Sequence, residues 1–162
     1  MKKIFALLFL FQCITLKSQE LFSDTINKKR LAAIITSESI YYVGGVSYLS
    51  FWWYKDQEIV PFEFYNDNAG YLQMDKCGHA LTAYKESYFG YYGLRRAGVS
   101  RRKALLFGAP LGLFLQTPIE ILDGMFPEWG FSWGDMAANA AGSLLLVGQE
   151  LLWKQQIILM KM

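Results

Sequence analysis

The chain has 162 residues, 53% of them hydrophobic and 17% aromatic, with a formal net charge of +2 and a mean hydropathy of +0.17. That length is one domain's worth, with enough apolar side chains for a substantial core. The small charge, without any aromatic-basic RNA-binding motif, argues against a nucleic-acid partner. The apolar excess over the roughly 45–50% of ordinary soluble domains favours a membrane or membrane-associated helical protein over a soluble enzyme.

The first residues read as an export signal. Lys2 and Lys3 form a basic start, and residues 4–16 are an apolar stretch too short for a comfortable membrane span. A cut near Ser18 divides the chain into a signal peptide, 1–18, and a single helical domain, 19–162. Cys13 is an alternative lipid-attachment point, but Gln12 before it departs from the small residue that lipidation needs. The chain has 2 cysteines, so removal of the signal leaves Cys77 alone and excludes a disulfide framework. A lone cysteine of this kind is expected to be a small buried packing residue.

Four apolar segments follow. The first, residues 31–54, ends in Phe51-Trp52-Trp53-Tyr54, an aromatic group suited to a membrane interface. Glu38 within it is costly unless it faces a partner, and Gly44-Gly45 is expected to permit close helix contact. The second, residues 74–94, is the most polar, and its Lys85-Glu86 pair is expected to face loop or water. The third, residues 104–122, contains Pro110 and Pro118, which should kink it or divide it into half-helices. The fourth, residues 134–153, is rich in alanine and glycine, which lets a neighbouring backbone approach closely. Ser100 and Ser132 are candidate caps for the third and fourth helices.

Charge is sorted between the connections. Lys28, Lys29 and Arg30 precede the first segment, and Arg95, Arg96, Arg101, Arg102 and Lys103 separate the second from the third. The remaining connections carry Asp56, Glu58, Glu63 and Asp67, or Asp123, Glu128 and Asp135. If all four helices span, the positive-inside rule puts the basic ends in the cytoplasm. A cleaved signal instead delivers residues 28–30 to the outside, and the two readings conflict. Helices that pack at the membrane surface or in a periplasmic bundle would remove the conflict.

Polar residues recur at helical spacing. Asp75, His79 and Glu86 fall within about 40° of one another on a helix. Gln116, Glu120 and Asp123 share a second face, and Asp135 and Asn139 a third, with Gly142 leaving room beside it. Asp75 and Asp135 lie near helix starts and Asp123 near a helix end, so an up-down bundle brings all three to one side. Three roles compete for this cluster. It is a hydrogen-bond network that fixes helix register, or a divalent-metal site of His79 with Asp75, Glu120 or Asp123. Alternatively, His79 is a general base or nucleophile oriented by a carboxylate, with Lys76 gripping an anionic head group. One histidine without a His-Glu-x-x-His spacing names no particular metal or cofactor.

The ordered set Asp75-Lys76-x-x-His79, Glu120-x-x-Asp123-Gly124 and Gly130-Phe131-Ser132-x-x-Asp135-x-x-x-Asn139-x-x-Gly142 resembles the YfiM-type domain of unknown function, a family of predicted periplasmic lipoproteins. The stretch from Phe64-Tyr65-Asn66-Asp67-Asn68 to Gln73-Met74-Asp75-Lys76 is similar to its Bacteroidota branch. The same order also looks like that of VanZ-like membrane proteins. The resemblance covers residues 48–161 and implies an envelope location and one shared site of Asp75, Lys76, His79, Glu120, Asp123, Asp135 and Asn139. It implies no particular reaction.

The expectation is therefore an all-α chain, a four-helix membrane or membrane-associated bundle after an N-terminal signal segment. Its polar pocket would face the periplasm from the inner membrane, or the chain would be a periplasmic lipoprotein. The expected partners are membrane lipids and a cell-envelope component. The expected function is non-catalytic binding of a lipid or cell-wall component. The alternative is a histidine- or metal-dependent hydrolase of a lipid-linked phosphate or peptidoglycan precursor, with His79, Asp75, Glu120 and Asp123 catalytic and Lys76, Asp135 and Asn139 binding.

Overall fold

A computed structural model describes residues 22–69 and 71–161. The expected signal segment 1–18 and the candidate lipid-attachment residue Cys13 lie outside the described residues. Among the described residues five α-helices carry the fold: α1 (Lys28–Tyr48), α2 (Met74–Arg96), α3 (Arg101–Phe107), α4 (Leu111–Asp123) and α5 (Trp133–Trp153). Among the described residues there is no strand, only an isolated parallel bridge between Phe64 and Phe131. The all-helical expectation holds, and the expected third segment is the α3–α4 pair. Pro110 lacks an N–H and stands at the break, as the N-cap of α4, whereas Pro118 is accommodated inside α4.

The caps are local and legible. Asn27 accepts from Arg30 N at 3.0 Å to start α1, and Ser132 accepts from Asp135 N at 3.1 Å to start α5. Asp75 and Asp135 each sit in a first turn, where a carboxylate faces the positive end of the helix dipole. Ser100 precedes α3 without a side-chain cap bond, contrary to expectation. Its hydroxyl is not needed to hold a helix of 7 residues that packs through buried Ala104.

The helices α2, α4 and α5 form the packed unit, with α2 lying mainly on α5. Small residues set their separation. A side-chain carbon at Gly112 would collide with the backbone of Ala83, and one at Gly142 with the carbonyl of Ala80. Gly90 and Gly108 meet backbone to backbone in the same way. The room expected beside Gly142 is therefore filled by α2.

Polar groups fill much of this interior. Ser87 donates to Ser143 at 2.9 Å, and Gln116 Nε2 donates to Glu86 Oε2 at 2.9 Å. Glu86 is thus buried against α4 rather than facing loop or water, because Gln116 supplies the donor that makes its burial tolerable. Near the end of α5, Glu150 accepts from the hydroxyls of Tyr91 and Tyr92 at 2.8 and 2.7 Å. Gln149 Oε1 accepts from the backbone N–H of Ile157 and Ile158, which folds the chain after α5 back onto the bundle.

Helix α1 lies outside this unit and buries none of its residues. It touches the core through Leu31 and Ile34, and Asn27 N donates to Ala97 O at 2.8 Å. Gly44 and Gly45 face open space, so they mediate no helix contact here, and Cys77 is exposed rather than buried. Both expectations fail for the same reason: these stretches are not covered by a neighbouring element.

The basic segments converge at one end. Arg30 donates to Arg96 O at 3.0 Å, and Arg95 pairs with Asp24 at 2.7 Å. Asp75 marks the other end of α2, about 30 Å away for a helix of this length. Among the described residues one helical run, Arg101–Asp123, is long and apolar enough to cross a membrane.

Candidate functional site

The end opposite the basic residues holds a cavity of about 450 Å³, lined in part by Asp67, Asp75, His79, Glu120, Asp123 and Asp135. Three helix ends build it, as connectivity requires. The start of α2 supplies Asp75, Lys76 and His79; the last turn of α4 supplies Glu120 and Asp123; the first turns of α5 supply Asp135 and Asn139. All seven expected residues thus meet in one place. Glu86 and Gln116, which share their helix faces, pair with each other further along the bundle and do not line the cavity.

His79 is held from one side. Its Nδ1 stands 3.2 Å from Asn139 Oδ1 and 3.4 Å from Glu120 Oε1. Asn139 Oδ1 can only accept, so the Nδ1 hydrogen points to it and Nε2 turns the other way. There it faces Asp75 Oδ1 at 3.7 Å and Asp135 Oδ1 at 3.9 Å. Asn139 is 0% exposed and Glu120 1%, so the ring's support is rigid while Asp75, on the rim, meets solvent.

Lys76 neutralises part of the carboxylate charge. Its Nζ lies 2.8 Å from Asp135 Oδ1 and 3.3 Å from Asp75 Oδ2, and it also donates to Asp67. Gly134 leaves the space that the Lys76 stem occupies. Burial raises the Asp67 carboxyl, but bonds from Lys76 and Ser132 outweigh it and bring it down to about 2. Burial would lower the Lys76 ammonium, yet its Asp135 and Asp67 partners push it well above the ordinary lysine value. Asp135 moves upward, because burial outweighs what Lys76 and His79 offset. The ammonium expected to grip an anionic head group is therefore surrounded by carboxylates.

Several contributors escaped the sequence reading. Asp67, in a turn-rich loop, pairs with Lys76 and accepts from Ser132 Oγ at 2.7 Å. Tyr54, the last residue of the aromatic run, donates its hydroxyl to Asp123 and stacks on Phe126 at 4.1 Å. Asp67 lies in the stretch that carried the family likeness, which was the available signal; Tyr54 offered none.

Beside the cavity, Phe62, Phe64, Phe131 and Trp133 pack ring against ring, with Phe64 and Trp133 parallel at 6.3 Å. The Phe64–Phe131 bridge and the Tyr65 N to Phe131 O bond of 2.9 Å tie this loop to the start of α5.

Fold and site together define an all-helical protein with an acidic, histidine-containing pocket at one end of its packed helices. Residues 63–147, just over half the chain, match the family described as predicted periplasmic lipoprotein (DUF2279). The chain belongs to that family, and the matched stretch contains all seven site residues. No curated protein and no solved structure matches the chain.

Proposed function

We propose that this chain is an envelope protein seated in lipid by its apolar flanks, whose acidic pocket binds the polar part of a membrane-borne lipid or cell-wall component. The observation that carries this reading is an inverted distribution of polarity. Glu86, Ser87, Gln116, Asn139, Ser143 and Glu150 are buried between helices, while Ile40, Val43, Phe89, Phe107, Phe114 and Leu144 face outward. In water the outward set is unfavourable, whereas in lipid small-residue contacts and interhelical polar bonds hold helices together. The exposed rings of Phe64 and Trp133 beside the pocket suit the interfacial layer. This would set the pocket at head-group level. The VanZ-like motif order and the likeness to the Bacteroidota branch agree with an envelope role.

The excess of carboxylates over Lys76 favours a ligand that brings positive charge, or one that meets the pocket through a cation. A second reading, hydrolysis of a lipid-linked phosphate or peptidoglycan precursor, is favoured by His79 standing beside carboxylates in an open cavity.

The test is reconstitution of the purified protein into phosphatidylethanolamine–phosphatidylglycerol vesicles, followed by a carbonate wash and mass spectrometry of co-purified lipid. Retention through the wash, with bound lipid reduced by Asp123→Asn, supports the reading. A protein that is monodisperse without detergent and absent from the vesicles would overturn it.

A further inference from the structure

We infer that the pocket holds a divalent first-row cation, zinc or manganese, bound by His79 Nε2, Asp75 and Asp135. One ligand atom from each of these three side chains lies within 4.8 Å of the others. Ligands at about 2.1 Å from zinc stand about 3.4 Å apart in a tetrahedron, so the separations of 3.7 and 3.9 Å from His79 Nε2 need only a slight contraction.

The arrangement behind the ring distinguishes this triad from an ordinary acidic cluster. Metal-bound histidines donate their second N–H to a carboxylate or carbonyl, which fixes the ring and leaves the other nitrogen for the metal. His79 has that second partner in Asn139 Oδ1, with Glu120 Oε1 close by. Its Nε2 is aimed between two carboxylate oxygens.

A second, independent observation also points to a ligand. Glu120 Oε1 is buried without a hydrogen-bond partner, although Glu120 lines the cavity at 1% exposure. Such a carboxylate oxygen is costly, and a nearby cation reduces that cost. Lys76 alone does not balance Asp67, Asp75 and Asp135, the three carboxylates it touches. The donor set, one imidazole and two carboxylates, suits zinc or manganese better than a soft, thiol-preferring ion. The open edge beside Asp75, whose side chain is 43% exposed, leaves coordination positions for water or for an anionic group of the ligand.

The ion site stands on its own geometry. Only its use, as the bridge to a phosphate- or carboxylate-bearing ligand, rests on the function proposed above. With the ion bound, His79 Nε2 is a ligand rather than a base, and any hydrolysis would draw on metal-bound water.

The experiment uses full-length protein in detergent, without added lipid, stripped with chelator and titrated with Zn²⁺ and Mn²⁺ by calorimetry. Metal content after dialysis is read by mass spectrometry. One ion per chain is expected, with affinity reduced about 100-fold or more by His79→Ala and by Asp75→Asn. Asn139→Ala, which acts on the ring rather than the ion, should weaken binding about 10-fold to 100-fold. Asp75 sits on the rim, so Asp75→Asn decides the matter even if His79→Ala fails to fold. No ion on the wild-type chain, or an affinity that Asp75→Asn leaves unchanged, would overturn the inference. Either result leaves the vesicle experiment untouched, so the two proposals can fail separately.

Discussion

Asn139 Oδ1 accepts from His79 Nδ1 at 3.2 Å, across the contact between α5 and α2, and this single bond sets which ring nitrogen faces the cavity. Asn139 is fully buried and its helix start is fixed by the Ser132 cap, so the ring has little freedom. Replacing Asn139 with leucine should let the ring turn. Nitrogen NMR of the imidazole should then show a mixture of tautomers where the wild-type chain shows one, with the helical circular dichroism retained.

The close backbone contact of α5 with α2 yields a paired test. Gly142→Leu forces a side chain into the carbonyl of Ala80, and overpacking of this kind costs about 1–3 kcal/mol or more. Gly44→Ala meets open space on α1 and should be stabilising by about 0.5–1 kcal/mol, through helix propensity alone. Thermal unfolding in one detergent separates the two outcomes.

The Glu86–Gln116 bond tests whether the buried polar pair contributes specificity or only tolerates its own burial. Gln116→Leu removes the donor and strands Glu86, at an expected cost of about 1–3 kcal/mol. Adding Glu86→Leu should recover most of that loss, because two apolar partners leave nothing unsatisfied. A double variant as unstable as the single would contradict this account.

Asp67 makes a pH prediction. Its carboxyl lies lower in the folded chain, at about 2, than its ordinary value of 3.8. A lowered carboxylate favours folding above the unfolded value, and that contribution is lost as pH falls through the folded one. Unfolding midpoints should therefore drop between pH 4 and about 2 in the wild-type chain. Asp67→Asn should be less stable at neutral pH and show a flatter profile across that window. Denaturant titrations at four or five pH values suffice.

Much of the site was legible because helix periodicity and chain alternation are local facts. The spacing of Asp75 to His79, Glu120 to Asp123 and Asp135 to Asn139 puts each pair on one helix face, and short connections force the three ends together. The Ser132 cap follows from a hydroxyl three residues before Asp135. What misled was the inference of burial from residue type. Cys77 and Gly44-Gly45 read as packing residues but are uncovered, and Glu86 read as exposed but is buried.

By itself the sequence determined the helices, the break at Pro110 and the identity of the polar residues that share an end. Covalent connectivity and helix period depend only on neighbours along the chain. Tertiary structure alone decided that Lys76 is taken up by Asp67 and Asp135, that Tyr54 reaches Asp123, and that His79 presents Nε2 to two carboxylates. Apart from the one-turn spacing of Asp75 and His79, those outcomes depend on distances between residues 9 to 69 positions apart, which no local preference encodes and only tertiary packing sets.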